Sequence, residues 1–142
     1  MSEFSFSFEG NLAFKPELEI TKSGQMLCRL RVAHNRRRKV GGDWVDTAPM
    51  WAQVTVWGEL AERCAELSKG DTVVVRARDD LNVWAFTRPD GTPGGLLEVT
   101  AENVSVSMRF TGALPVPSDR PAGDAWDPAT AEPEAERELQ AA

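Results

Sequence analysis

An all-β fold with one short helix is predicted by three features of this chain. Apolar residues recur at every second position over several short stretches, one stretch alone carries them at helical spacing, and Gly, Pro and Asp clusters separate the stretches. The clearest alternation is Met50-Trp51-Ala52-Gln53-Val54-Thr55-Val56-Trp57-Gly58. Because strand side chains alternate sides, Ala52, Val54 and Val56 share one face, and Trp51, Gln53, Thr55 and Trp57 share the other. The first face is core; the second is polar and aromatic.

The elements follow in order. Phe4, Phe6 and Phe8 alternate with serines in a first strand, with Phe8 as its core residue, and Gly10-Asn11-Leu12 and Lys15-Pro16-Glu17 mark a bulge and a turn. Gln25 to Asn35 is a second strand: Met26, Cys28, Leu30 and Val32 face one way, Leu27, Arg29, Arg31, Ala33 and Asn35 the other. Arg36 to Trp44 reads as a hairpin loop with Gly41-Gly42 at its tip, leading into the tryptophan strand. Glu59 to Leu67 is the helix, with Leu60, Ala61, Cys64 and Leu67 at core-facing spacing, and Lys69-Gly70-Asp71 ends it. Asp71 to Arg78 is a valine-rich strand that Leu81 to Thr87 continues or pairs with. The turn Arg88 to Gly95 then leads to a final strand, Leu96 to Met108. Three strands, a helix, then two strands with a hairpin excursion fit the five-stranded Greek-key barrel of the OB-fold.

Length and charge set the organisation. The chain has 142 residues, 42% of them hydrophobic, enough for one domain with a real core. Residues 1 to 112 carry 14 Lys or Arg against 15 Asp or Glu, whereas residues 113 to 142 carry 2 against 7. Of the net charge of -6, the tail therefore carries -5. Rich in Pro, Ala and acid, with Trp126 as its one aromatic, that tail is expected to be disordered. No apolar run approaches the roughly 18 residues of a membrane span, and the N-terminus lacks a signal-peptide pattern, so a soluble cytoplasmic protein without membrane contact is expected. Cys28 and Cys64 fall on core-facing positions and read as buried thiols, not a disulfide.

A sheet face that combines flat rings with hydrogen-bonding groups suits planar ligands, and unpaired nucleobases are such ligands. Trp51, Trp57, Gln53 and Thr55 form that face, Arg29 and Arg31 join it from the preceding strand, and Trp84 and Phe86 share one side of theirs. The cations Arg36, Arg37, Arg38 and Lys39 sit beside it in sequence and suit phosphate. Arg29 and Arg31 are equally placed to pair with Glu17 or Glu19. Trp44, next to a hairpin turn, is expected to pin the loop, and His34 to be structural. With one histidine, two separated cysteines and no phosphate-binding glycine loop, no metal site, cofactor site or catalytic constellation assembles, so no enzyme is expected. The alternative reading is an OB-fold protein-interaction subunit of a replication or recombination assembly that turns the same face to a protein.

At these residues the chain resembles the bacterial single-stranded DNA-binding protein family. The matches are Gly10-Asn11-Leu12, Pro16-Glu17-Leu18, Ser23-Gly24, Leu30-Arg31-Val32-Ala33, Gly42-Asp43-Trp44-Val45-Asp46, Val54 through Glu62, and Leu67 through Val75, in order and at family spacing. The resemblance covers about residues 4 to 110 and implies an OB-fold, usually a homotetramer, that wraps single-stranded DNA without sequence preference. It implies that Trp51, Trp57 and Phe86 stack bases, with Trp84 as an additional or substitute platform. Three departures stand out. Arg36 to Lys39 replace an aromatic near the start of the loop, and Ala77 and Asp79 stand where Gly and Leu are usual. The chain ends Arg137-Glu138-Leu139-Gln140-Ala141-Ala142 rather than in acidic residues followed by Pro-Phe. The last departure implies an auxiliary, plasmid-borne or phage-type member without the usual partner-docking tip.

Overall fold

The computed structural model describes residues 2–117. Its elements are β1 (Phe6–Leu12), β2 (Leu18–Ile20), β3 (Met26–His34), β4 (Arg37–Val40), β5 (Asp43–Asp46), β6 (Met50–Trp57), α1 (Glu59–Cys64), β7 (Thr72–Ala77), β8 (Asn82–Thr87) and β9 (Pro93–Val106). The main sheet runs β1-β7-β9-β6-β3-β2, and a second pairing of β1 with β3 closes five of its strands into a barrel. The predicted OB-fold is the observed one, with α1 between its third and fourth barrel strands.

Alternation builds the core. Cys28, Leu30 and Val32 of β3, Ala52, Val54 and Val56 of β6, and Val73 and Val75 of β7 are all essentially inaccessible to solvent. Ala61 and Cys64 of α1 close the barrel's end. The Lys15 ammonium donates to the Ala65 and Leu67 carbonyls at 2.7 and 3.2 Å, satisfying the open end of the helix with a cation where the helix dipole favours one. Both thiols are free, and burial pushes Cys64 up to about 12.

Several local expectations are corrected. Gly10-Asn11-Leu12 is not a bulge: it continues β1, with Gly10 and Asn11 paired to β7 in unshifted register and Asn11 and Leu12 paired to β3. Gly10 is the seam of the barrel, because a Cβ there would lie 2.6 Å from both the Ala33 carbonyl oxygen and a Val32 methyl. Phe6 shares the core edge with Phe8, their rings stacked at 5.9 Å, while Phe4 is exposed. The hairpin loop after β3 is a two-stranded sheet of its own, β4 and β5, turning at Gly41-Gly42 with positive φ at both glycines. The helix stops at Cys64, shorter than its apolar spacing allowed. Strand β8 pairs with β9, not with β7, and Gly94 and Gly95 lie in β9, leaving the turn as Arg88 to Thr92. The real bulge is a register shift between Arg76 and Ala77 against β9. It reverses which β9 residues face inward, from Val99 and Ala101 before it to Val104 after it. Of the tail expected from residue 113 onward, residues 118–142 lie outside the described residues; Leu114 and Val116 are exposed.

Candidate nucleic-acid interface

The site begins with β6. Ala52, Val54 and Val56 on its core face are buried and its other face is half-exposed, so Trp51, Gln53, Thr55 and Trp57 point away from the barrel interior. The neighbour β3 sets Ala33 opposite Trp51, Arg31 opposite Gln53, Arg29 opposite Thr55 and Leu27 opposite Trp57. On the other flank β9 runs parallel to β6, with Glu98 opposite Gln53 and Thr100 opposite Thr55. Strand β8 then sets Asn82 opposite Glu98, Trp84 opposite Leu96 and Phe86 opposite Gly94. Side chains of paired residues share a face, so the register carries one continuous surface across β3, β6, β9 and β8. The predicted aromatics Trp51, Trp57, Trp84 and Phe86 all lie on it.

Their environments differ. The Arg31 guanidinium carbon lies 6.0 Å from the centre of the half-buried Trp51 ring. Trp57 is 42% exposed and walls a hollow with Gly24, Gln25, Met26 and Gly58. Trp84 and Phe86 are 55% and 48% exposed on a strand with no buried residue. Phe86 lies directly over Gly94, where a Cβ would stand 2.5 Å from its ring, and Arg88 reaches within 5.7 Å of its centre. Arg88 also donates to the Pro93 carbonyl, which ties the ring's cation to the start of β9 beside the turn. At the tip, the Thr92 hydroxyl and amide donate to Asp90 at 2.6 and 3.0 Å and hold its carboxyl below the usual range.

The cations divide. Arg29 is paired with Glu19 at 2.6 Å, both side chains half-exposed, so the competing ion-pair reading holds for it. Arg31 stays beside the rings. The run Arg36 to Lys39 is not a loop cluster: Arg37, Arg38 and Lys39 belong to β4, so Arg37 and Lys39 share one side of the hairpin and Arg38 takes the other. The Arg36 carbonyl accepts from the Thr47 amide and hydroxyl, both at 2.9 Å, which closes the hairpin's base. His34 has the structural role expected, its Nδ1 2.7 Å from the Glu9 carbonyl oxygen.

Sequence reasoning passed over two members of the surface. Leu96 and Glu98 lie on the ring side of β9, and alternate spacing along that strand was the signal for both. Trp44 does not pin the hairpin: it is 66% exposed and lies opposite Lys39, an arrangement its place in a strand explains. Among the described residues no group of acidic, histidine and cysteine side chains could hold a metal, and no helix is long and apolar enough to cross a membrane.

Comparison with known proteins points the same way as the surface. Residues 4–107 match the model of the Single-strand binding protein family. Over 107 residues the chain is 32% identical to a single-stranded DNA-binding protein of Mycolicibacterium smegmatis, covering 73% of this chain and 64% of that one. It is 34% identical over 107 residues to a single-stranded DNA-binding protein of Corynebacterium glutamicum, covering 73% and 47%. The match therefore spans under two thirds of these relatives' length. A small single-stranded DNA-binding protein from Streptomyces coelicolor has a similar solved structure, with TM-score 0.60, 25% identity, and coverage of 77% of this chain and 98% of that one.

Proposed function

The chain belongs to the single-strand binding protein family, and from that premise we propose that its four-strand aromatic face binds single-stranded DNA without requiring a defined sequence. One observation carries the reading: the register places Trp51, Trp57, Trp84 and Phe86 on a single side of β6 and β8, interleaved with Gln53, Thr55 and Arg31. Every base has a flat face, so rings spaced along such a surface accept any sequence, while cations at its margin meet phosphate. Arg31 and the hairpin cations Arg36, Arg37, Arg38 and Lys39 are the phosphate partners in this reading, and Arg29 contributes only on release from Glu19. The protein acts by holding and shielding the strand during replication, recombination or repair, not by catalysing a reaction, and it works in the cytoplasm, on nucleoid DNA.

Titration of intrinsic tryptophan fluorescence with an oligonucleotide tests the reading. Stacking on exposed indoles quenches emission, so a single strand should quench and a duplex of the same sequence should not; unchanged emission with both rejects it. Self-association is part of the proposal, as a homotetramer. Phe4, Phe14, Leu18 and Ile20 are exposed apolar side chains, the last two on the edge strand β2, and sedimentation at several concentrations should report four chain masses.

A further inference from the structure

We propose that Glu98 selects among bases on this face, favouring those that carry an exocyclic amine, cytosine above all, over thymine. The inference rests on the single-stranded DNA reading. Glu98 lies in a row that crosses four strands, Arg31 opposite Gln53, Gln53 opposite Glu98, Glu98 opposite Asn82. One residue pair to one side lies Leu96, faced by Trp84; one pair to the other lies Thr100, faced by Thr55. A carboxylate thus occupies the middle of a surface that has to hold a polyanion.

Its surroundings do not neutralise it. Glu98 is half-buried, and among the described residues its carboxylate has no hydrogen bond or ion pair. The one cation in its row, Arg31, lies against the Trp51 ring. An unpaired carboxylate repels phosphate, so a strand crossing here keeps its backbone at the margins and turns its bases inward. What the carboxylate then meets is a base edge. Gln53 and Asn82 can each donate and accept, and so tolerate any edge, but an ionised carboxylate only accepts. Cytosine offers it the N4 amine, whereas thymine offers one imino N–H flanked by two carbonyl oxygens that the charge opposes.

The test compares full-length wild type with Glu98→Gln and Glu98→Thr for equilibrium binding to oligo(dC) and oligo(dT) of equal length at one salt concentration. In Glu98→Thr the ratio of dC to dT affinity should fall by about three- to tenfold, the scale of one ordinary hydrogen bond, since solvent at a half-exposed surface screens the charge. Affinity for dT should rise as the repulsion is lifted. Glu98→Gln keeps an acceptor without the charge and should fall between, and it carries the test alone if circular dichroism shows the threonine variant unfolded. Equal shifts for both oligonucleotides overturn the inference while leaving the DNA reading intact, since Glu98 then acts as a charge and nothing more. Failure of the wild type to bind either oligonucleotide overturns both.

Discussion

Strands β6 and β8 carry the same kind of sequence, large aromatics spaced to one side of a strand, yet the barrel treats them differently. β6 has hydrogen-bonded neighbours on both flanks and buried residues at every second position. β8 pairs with β9 alone and buries nothing. Trp51 and Trp57 therefore stand on the far side of the core itself, on backbone that the core and two flanking strands hold. Trp84 and Phe86 stand on an excursion whose geometry depends on the hairpin that carries it. The lesson is that preorganisation, not aromatic content, separates the two: rings held in place lose less freedom on binding than rings on a free edge.

The largest effect expected from this comparison is at β6. The double variant Trp51→Ala, Trp57→Ala should weaken oligonucleotide binding by roughly 2 to 6 kcal/mol, the worth of two stacked bases, with a native circular dichroism spectrum. The matching variant Trp84→Ala, Phe86→Ala should weaken it less and leave the melting temperature unchanged, because every residue of β8 is exposed. If the β8 pair proves the more costly, preorganisation is not what ranks the platforms.

A smaller effect sharpens the role of the glycine under Phe86. Gly94→Ala sets a methyl where the ring tip now lies, and the ring is the end of a rotatable side chain, so it should swing aside with the barrel intact. Binding should then fall by no more than Phe86→Ala lowers it, read by the same titration; a full loss of fold would instead make Gly94 a requirement of the β8–β9 pairing. The smallest effect at physiological salt is expected from the hairpin. Replacing Arg36, Arg37, Arg38 and Lys39 by Gln should flatten the plot of log affinity against log salt by about 0.7 for each phosphate that the wild type neutralises and the variant does not. Because β4 splits these cations between two sides, the change should be smaller than four such steps, and an unchanged slope would remove the hairpin from the interface.

Where the sequence was legible and where it was not follows from the range of the interactions. The faces of β3 and β6 could be read because period-two alternation is local and one face of each is core: Val54 and Trp51 differ in kind, not in degree. The partner of β8 could not be read, since a strand with no buried residue has no pattern to declare its neighbour. The bulge at Arg76 was hidden for the opposite reason, because it lies between β7 and β9 and no single segment reports a register shift. Glu98 is the instructive miss. Its position in Leu96 to Met108 gives its side of β9, but that this is the ring side emerges only from the parallel pairing with β6. The pairing of Arg29 with Glu19 was open in the sequence for a like reason: β2 is three residues long, too short to announce itself.

The parallel pairing of β6 with β9 also sets when the binding surface comes into being. In the chain α1, β7 and β8 lie between these two neighbours, and β7 must meet β1 from the far end of the domain. Pairings of such long sequence separation close large loops before they form, so the barrel should fold on a scale of roughly milliseconds to seconds, as all-β domains of high contact order do. The two halves of the ring face are joined to the barrel through different neighbours, β6 through β3 and β8 through the last strand. The chain order brings out Trp51 and Trp57 before Trp84 and Phe86, and only the pairing of β9 with both β6 and β8 joins the two sets of rings on one surface.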